Sequence, residues 1–327
     1  MVAIAESVIP SFARGHLRPV DSLRDLRVIA DLIELCFQDT LDLEGQDYLR
    51  ELRSTADNTR FLSWASPFLE ANNEMNASGY VWEEKGRIIG NLSLIPIQSL
   101  GQNCLLIANV AVHPDFRGRG IGRTLTATAI EYAHRKKTPA VWLQVRQENL
   151  IAVNLYRSLG FMDHSLRTTW QTNSVPPFLP DIKGIRVGDR RNYHWLQQRL
   201  WLERLYPPEL AWHLSVDWQA MQPGFRGSVY RMFSLNYPRH WTVERGDQLL
   251  GVVSWIQSMT RSDPLWLSLP PQPNQDAVQT LLQHARMQIA SRRPITINFP
   301  VGIADEAIQA AGFIPQQTLI WMEMRLR

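Results

Sequence analysis

The sequence predicts a mixed α/β fold of two tandem domains, each a mostly antiparallel, twisted sheet flanked by helices. Three observations indicate it. An apolar run at 104–112 leads through a glycine-rich turn into a helical pattern at 121–135. Two β-rich runs at 80–82 and 88–95 are joined by a turn that contains Gly86, as in a hairpin. A similar order of segments returns after the proline-rich stretch at 174–184.

The segments before the hairpin predict a leader, a short strand and two helices. Residues 1–15 are expected to be flexible, and 17–20 are expected to form the strand. Apolar residues at helical spacing then predict one buried helix face: Leu26, Ile29, Ala30, Ile33 and Phe37. Four acidic residues precede a second helix near 48–52: Asp39, Asp42, Glu44 and Asp47. They form either a solvated loop or a group in which one carboxylate meets a cationic amine.

The segments after the glycine-rich turn complete the first domain. A strand is predicted at 140–145, after Pro139, and a helix at 149–159. Gly160 is placed to end that helix in a left-handed conformation, and 161–171 supplies one or two closing strands. The first domain is therefore predicted at 16–173, followed by a linker at 174–184 and a second domain at 185–327.

The second domain repeats the pattern of the first. Residues 185–189 resemble 17–21, and 241–256 resemble 80–95, with Gly246 and Gly251 in the places of Gly86 and Gly90. Strands at 265–269 and 295–299 and helices at about 276–290 and 306–311 follow. We interpret the chain as a tandem repeat of one fold, in which the second domain has a structural or acceptor-binding part.

The glycine-rich turn predicts a binding site for a pyrophosphate. The first turn of a helix presents backbone N–H groups without internal partners at the positive end of its dipole. Glycines let an anion approach the backbone, and arginines add positive charge. The residues concerned are Arg117, Gly118, Arg119, Gly120, Gly122 and Arg123. The alternatives are a basic turn that only caps a helix and an RNA-binding tract, and neither nucleotide fingerprint based on glycine is matched.

The second copy differs at this turn. Aligning Thr280 with Thr124 places Asp276 at the position of Gly120 and Val278 at that of Gly122. An aspartate there would bring like charges together, and valine would add bulk. The second copy is therefore predicted not to hold the same ligand.

Two motifs give the sequence a family resemblance. The turn resembles the acyl-CoA signature of the GCN5-related N-acetyltransferase (GNAT) superfamily, Gln/Arg-x-x-Gly-x-Gly/Ala, which is met by Arg117, Gly120 and Gly122. A later pattern of that superfamily is N-x-x-A-x-x-L-Y-x-x-x-G-F. It is met at every position by Asn149, Ala152, Leu155, Tyr156, Gly160 and Phe161. Two motifs in the expected order make a chance match improbable.

The resemblance implies a site for acetyl-CoA (coenzyme A) as co-substrate. Backbone groups near Val110 and Val112 would pair with the pantetheine on a strand that splays from its neighbour. The diphosphate would be held by Arg117, Gly118, Arg119, Gly120 and Gly122 and by the N–H groups of Arg123 and Thr124. Asn149 would reach the pantetheine arm, and Tyr156 would be the general acid that protonates the leaving thiolate.

The general base departs from the family pattern. Superfamily enzymes that acetylate the N-terminal alanine of a ribosomal protein carry a glutamate where this chain has Gln144, and glutamine cannot take a proton at neutral pH. Either water relays the proton to Glu148, Glu83 or an acidic-loop residue, or the amine arrives neutral. The resemblance implies acetyl transfer to a primary amine of a small molecule, peptide or protein. The alternative is a non-catalytic acyl-CoA-binding sensor, which the missing glutamate favours.

Composition limits the remaining function classes. A net charge of only +3 gives little support for a nucleic-acid partner, although the pI is about 9.0. Cys36 and Cys104 lie in apolar segments and are predicted to be buried thiols in a reducing compartment. No metal site is indicated. Since no run of about 18 apolar residues occurs, we expect a soluble, cytoplasmic protein without a membrane partner. The sequence predicts nothing about oligomeric state.

Overall fold

A computed structural model describes residues 15–38, 41, 43–65, 78–172, 184–214, 216–234, 237–258, 261–289 and 293–326. The chain forms two compact units. Unit 1 comprises Met1–Pro96, Cys104–Leu143 and Met324–Arg327, and unit 2 comprises Ile97–Asn103 and Gln144–Glu323. The predicted leader and linker lie outside the described residues except for Gly15 and Gly184. The domain boundaries at 16–173 and 185–327 therefore remain a proposal.

Unit 1 is built on a sheet whose strands follow the order β1-β2-β3-β4-β5. β1 pairs antiparallel with β2 and β2 with β3, whereas β4 runs parallel to β5. The tip between β3 and β4 and the end of β5 belong to unit 2. In chain order the elements are β1 (Gly15–Pro19), α1 (Leu26–Phe37), α2 (Leu43–Ala65), β2 (Ser78–Glu84), β3 (Arg87–Ser99), β4 (Gln102–Val112), α3 (Ile121–Arg135) and β5 (Ala140–Arg146).

The helices α1 and α2 share one apolar core with the sheet. The buried residues of α1 follow the predicted face and are Leu26, Ile29, Ala30, Leu32 and Ile33, while Phe37 is only partly buried. The prediction for α2 was too short: it begins at Leu43 rather than near residue 48, because Glu44 and Asp47 continue its helix instead of forming a loop. Asp39 and Asp42 lie outside the described residues.

Unit 2 is built on a sheet in the order β12-β6-β11-β10-β9-β8-β7. β10 and β11 are parallel, and the other pairs with a described register are antiparallel. In chain order the elements are α4 (Leu150–Ser158), β6 (Met162–Thr172), β7 (Arg186–Asp189), α5 (Trp195–Leu205), α6 (Trp218–Met221), α7 (Gly224–Ser234), β8 (Arg239–Arg245), β9 (Gln248–Trp255), β10 (Asp263–Ser268), α8 (Gln275–Gln288), β11 (Ile295–Pro300), α9 (Asp305–Ala310) and β12 (Ile314–Arg325).

Strand β6 lies between β11 and β12. It follows α4 in the first half of the sequence, yet it pairs with the two strands that close the second half. Thr168, for example, is opposite Phe299 on one side and Thr318 on the other, and the two threonine hydroxyls lie 2.9 Å apart. The sequence predicted β6 but assigned no element to 314–325. Among the described residues, the sheet that contains β11 and β12 thus also includes β6, a strand that precedes the C-terminal half in the sequence.

The two halves contain hairpins of the same register. Trp82 is opposite Gly90 in the β2–β3 hairpin, and Val243 is opposite Gly251 in the β8–β9 hairpin. In both, the register shifts immediately after that pair, and a glycine with positive φ follows in the turn, Gly86 at 75° and Gly246 at 59°. This agreement confirms the internal repeat where the sequence predicted it.

The two cysteines differ in burial, although both were predicted to be buried. Cys104 is buried, but Cys36, which lies beside Val112 at the end of β4, is only half-buried. Its Sγ donates to the carbonyl oxygen of Val112 at 3.3 Å.

Among the described residues no helix is both long and apolar enough to cross a membrane.

Candidate acyl-CoA site

The turn between β4 and α3 is an exposed loop with a left-handed backbone. Pro114–Phe116 form one turn of 3₁₀ helix, after which 117–120 lead to the start of α3. Gly118 has a φ of 77° and Gly120 a φ of 78°, which other residues adopt only with strain. A Cβ atom added at either glycine would meet nothing within 4 Å. The backbone geometry therefore favours glycine at both positions, and the space around both Cα atoms is open.

The N-terminus of α3 has no side-chain cap. Gly120 occupies the N-cap position and has no side-chain atom that could accept from the first N–H groups of the helix. Its carbonyl accepts from the Thr124 N–H at 3.0 Å, so that N–H group, which the sequence assigned to the diphosphate, already has a partner within the helix. The corresponding helix of the second half, α8, is capped by Asn274, whose Oδ1 accepts from the Ala277 N–H at 2.9 Å. Asp276 also places a carboxylate in that first turn. Of these two helices, α3 has neither a side-chain cap nor an acidic residue in its first turn, an arrangement that suits an anion better than that of α8.

The arginines around the loop have partners within the protein. Arg117 turns back toward β4, where its Nε donates to the Val112 carbonyl at 3.1 Å. That carbonyl oxygen also accepts from Cys36, so both of its lone pairs are in use. Arg119 lies over the Phe116 ring at 4.7 Å and is 3.9 Å from Glu84. The Thr124 hydroxyl donates to the Gly120 carbonyl at 3.2 Å. Arg123 is exposed in the first turn of α3, and Gly122 is half-buried there.

Strand β4 is distorted immediately before Val110. Its parallel ladder with β5 joins Leu105–Ile107 to Val141–Leu143. Asn109 then has a φ of 52°, a left-handed conformation that departs from the extended backbone of the strand. The Asn109 carbonyl accepts a hydrogen bond of 3.1 Å from Nδ2 of Asn91, a side chain that is only 1% exposed. Asn91 therefore holds the distorted strand that presents the Val110 backbone.

Sequence reasoning missed a neutral polar cluster at this distortion. The Tyr48 hydroxyl forms hydrogen bonds with the side chains of Ser93 and Asn109, and burial raises the pKa of Tyr48. Asn109 Nδ2 lies 3.4 Å from Ser93 Oγ. A signal was present, since Asn109 is the polar residue within the apolar run 104–112. Its partners could not be predicted because they lie on α2 and β3, far away in sequence.

The residues of the second motif lie in unit 2. Asn149 caps α4, and its Oδ1 accepts from the Ala152 N–H at 3.2 Å, which leaves its amide NH₂ group available. Tyr156 is 6% exposed, and its ring meets the edge of Phe161 at a centroid distance of 6.1 Å. Burial raises the pKa of Tyr156 to about 12. The phenol therefore stays protonated at neutral pH, as a general acid must.

The candidate bases have different environments. Glu83 accepts a hydrogen bond of 2.8 Å from Arg18, which lowers the pKa of the Glu83 carboxyl and makes it a poor base. Asp47 is paired with Arg50. The amide Nε2 of Gln144 is buried without a hydrogen-bond partner among the described residues. Glu148 is 63% exposed and lies 3.4 Å from Arg146. No group of three or more His, Cys, Asp or Glu side chains in the described residues could hold a metal ion.

Comparisons with known proteins identify the family of the chain. The defining pattern of the acetyltransferase (GNAT) family matches residues 37–161. A ribosomal protein bS18-alanine N-acetyltransferase of Salmonella typhimurium is 40% identical over 62 residues, which are 19% of this chain and 42% of that protein. The peptidyl-lysine N-acetyltransferase YiaC of Escherichia coli is 30% identical over 127 residues, 35% of this chain and 77% of that protein. This chain spans about half of the length of the bS18-alanine enzymes that it matches.

A solved structure shows the same fold over the whole chain. The crystal structure of a GCN5-related N-acetyltransferase from Sphaerobacter thermophilus superposes on 98% of this chain and 98% of its own, with a TM-score of 0.58 and 16% identity. That likeness concerns the fold alone. The family is established by the sequence match to most of YiaC, in agreement with the motifs and the family pattern: this chain belongs to the acetyltransferase (GNAT) family.

Proposed function

We propose that the chain transfers an acetyl group from acetyl-CoA to a primary amine of a small molecule, peptide or protein. The observation that carries this proposal is the open, left-handed glycine loop at the uncapped N-terminus of α3. Backbone N–H groups there, with the loop of Gly118 and Gly120, suit the two phosphates of the co-substrate. The exposed Arg119 and Arg123 add positive charge around them.

The reacting end of the co-substrate would lie along β4. The Val110 backbone, which follows the left-handed Asn109, would pair with the pantetheine and help polarise the thioester carbonyl. The Val112 carbonyl is already used by Cys36 and Arg117, so only the N–H side of that residue fits the proposed role. The amide group of Asn149 that does not cap α4 would donate to the pantetheine arm.

The transfer itself needs an acid and a base. A neutral amine attacks the thioester carbonyl, and an oxyanion forms. The C–S bond then breaks, and the departing thiolate takes up a proton to become the free thiol of coenzyme A. Tyr156 supplies that proton, since burial keeps its hydroxyl neutral. Glu148 takes the amine proton through water: it is exposed and lies 3.4 Å from Arg146, whereas Glu83 accepts a shorter hydrogen bond of 2.8 Å from Arg18 and Gln144 cannot take a proton. The two relatives described above, a bS18-alanine and a peptidyl-lysine N-acetyltransferase, support an amine acceptor on a peptide or protein.

A second candidate function is a sensor that binds acyl-CoA without turnover. It is favoured by Gln144, where an amide stands in place of a carboxylate, and by the engagement of Glu83 with Arg18. The two functions share the ligand and differ in the chemical step. Binding and turnover must therefore be measured separately.

Thermal unfolding with and without acetyl-CoA tests the binding step. A ligand at 100 times its dissociation constant stabilises the folded chain by about 2.7 kcal/mol. Release of free thiol from acetyl-CoA, measured with a panel of primary amines that includes N-terminal and lysine-containing peptides, tests turnover. Stabilisation with amine-dependent thiol release supports the enzyme. Stabilisation without thiol release for any amine supports the sensor, and the absence of stabilisation contradicts both.

A further inference from the structure

Two arginines of unit 2 converge on the C-terminal end of the short helix α6. Arg190 Nη1 donates to the Met221 carbonyl at 2.9 Å. Arg231 Nη1 donates to the carbonyls on either side of it, Ala220 at 2.9 Å and Gln222 at 2.8 Å. Three consecutive carbonyl oxygens thus fix two guanidinium groups beside each other.

The close approach of Arg231 depends on a glycine. A Cβ atom at Gly227 would lie 1.8 Å from the Gln222 carbonyl oxygen and 2.9 Å from Arg231 Nη1. Arg231 Nη2 is also held by Ser228 Oγ at 3.0 Å. The side chain is therefore positioned by several contacts, unlike a surface arginine that moves freely in solvent.

Among the described residues, neither guanidinium group is neutralised by a carboxylate. Within the part of the chain that the structure describes, no carboxylate forms an ion pair with Arg190 or Arg231. By contrast, Arg18, also partly buried, is paired with both Asp25 and Glu83. Burial, followed by the charge of Arg231, lowers the pKa of Arg190 to about 10, so Arg190 remains cationic at neutral pH. Two partly buried like charges without a counter-ion are unfavourable, and an anion would relieve this.

A buried polar network continues from Arg190. Its Nη1 donates to Gln198 Oε1 at 2.8 Å, and Gln198 Nε2 donates to Ser254 Oγ at 2.8 Å. Gln198 and Ser254 are both fully buried. His240 Nδ1 lies 2.7 Å from the same hydroxyl. The Arg190 Nε is buried without a hydrogen-bond partner among the described residues, and the guanidinium lies over the Trp195 ring at 5.4 Å.

We propose that Arg190, Arg231 and His240 form a binding site for a small anion that carries a carboxylate or a phosphate group. Guanidinium groups recognise both through paired N–H donors, and a fixed pair favours a ligand with at least two anionic oxygens. A small ligand is indicated because the network that supports Arg190 is fully buried. The site lies wholly in unit 2 and shares no residue with the proposed acetyl-CoA site.

Calorimetric titration of the full chain tests this with inorganic phosphate, sulfate, succinate and citrate as probes. Saturable binding of phosphate and sulfate alone identifies a phosphate site, and saturable binding of the two carboxylates alone identifies a carboxylate site. Arg190→Gln and Arg231→Gln are each expected to weaken binding at least tenfold. Arg226→Gln, at an exposed arginine of the same helix α7, is the matched control and should leave the affinity within twofold.

A second readout needs no substitution. Bound anion should raise the pKa of His240, so its ring NMR signals should move at saturation while those of the exposed His134 remain unchanged. Loss of acetyl-CoA binding in Gly120→Asp should leave the anion affinity intact, which separates this site from the proposed function. The site is contradicted if no probe binds saturably, if Arg226→Gln weakens binding as much as the other two variants, or if the His240 signals do not respond.

Discussion

Asn91 Nδ2 donates a hydrogen bond of 3.1 Å to the carbonyl oxygen of Asn109, the residue of β4 that has a φ of 52°. Asn91→Ala should remove this bond and leave the carbonyl without its donor. We expect the free energy of unfolding to fall by about 1–3 kcal/mol. Urea unfolding measures this change. Asn154→Ala, on the exposed face of α4, is the control and should change stability by less than about 0.5 kcal/mol.

The same substitution tests the role of the distorted strand. If Asn109 aims the Val110 backbone at the pantetheine, Asn91→Ala should also weaken acetyl-CoA binding under conditions in which the variant is fully folded. If the variant is destabilised but binds acetyl-CoA with unchanged affinity, the Asn91–Asn109 hydrogen bond stabilises the fold without contributing to acetyl-CoA binding.

Gly120→Asp tests the anion-binding loop. The residue has a φ of 78° and open space around it, so the aspartate can be built, with a strain of about 1 kcal/mol. Its carboxylate would repel the diphosphate, and we expect acetyl-CoA affinity to fall at least about 100-fold. Isothermal titration measures this loss.

Gly86→Asp is the matched control for that loop. Gly86 has a φ of 75° in the β2–β3 turn and likewise has nothing within 4 Å of a Cβ atom. Both variants should lose similar stability, and only Gly120→Asp should lose acetyl-CoA. If Gly120→Asp and Gly86→Asp bind acetyl-CoA with equal affinity, the loop of Gly118 and Gly120 does not bind its diphosphate.

Tyr156→Phe tests the general acid. A positioned acid contributes about 10²–10⁴-fold, so turnover with the best amine of the panel should fall at least tenfold. The dissociation constant of acetyl-CoA should stay within twofold. Tyr237→Phe, at an exposed tyrosine of the same unit, should change neither. Because burial raises the pKa of Tyr156 to about 12, its ionisation should not limit activity up to about pH 10. Equal turnover of Tyr156→Phe and wild type would exclude this role.

The local elements were predictable because each has a short-range signal. Alternation and glycine turns predicted both hairpins, and the spacing of Ile121, Leu125, Ala129 and Ala133 predicted the buried face of α3. The start of α2 was wrong because charged residues such as Glu44 and Asp47 suit a helix as well as a loop. Propensity alone could not distinguish these two structures.

The features that depend on distant residues were not predictable. Nothing local in Thr168 indicates that it will pair with Thr318, 150 positions later, and β6 and β12 are placed by such contacts. The direction of Arg117 was missed for the same reason: it is set by the Val112 carbonyl, which only the folded strand brings within 3.1 Å. Motif spacing identified the loop, but the partners of its side chains come from tertiary structure.

His240 should make the chain sensitive to acid. Burial, followed by the charges of Arg190 and Arg231, lowers its pKa to about 3, against about 6.5 in an unfolded chain. As the pH falls below 6.5 the unfolded chain binds a proton that the folded chain does not, so stability is lost toward lower pH. The slope from this residue approaches about 1.4 kcal/mol per pH unit between pH 6 and 4. His240→Gln should reduce the slope by that amount in urea unfolding, and parallel curves would contradict the shift.

Gly90 and Gly251 are expected to respond alike to a larger side chain. A Cβ atom at Gly90 would lie 2.9 Å from Ile121 Cγ2, beneath α3, and one at Gly251 would lie 2.9 Å from Leu269 Cδ2. Valine at either position should therefore overpack its core and cost about 1–3 kcal/mol in urea unfolding. Gly188→Val is the control, since that strand glycine has nothing within 4 Å of a Cβ atom, and valine there should be neutral or stabilising. Unequal costs at Gly90 and Gly251 would show that the two halves share a register without sharing the same helix-on-sheet packing.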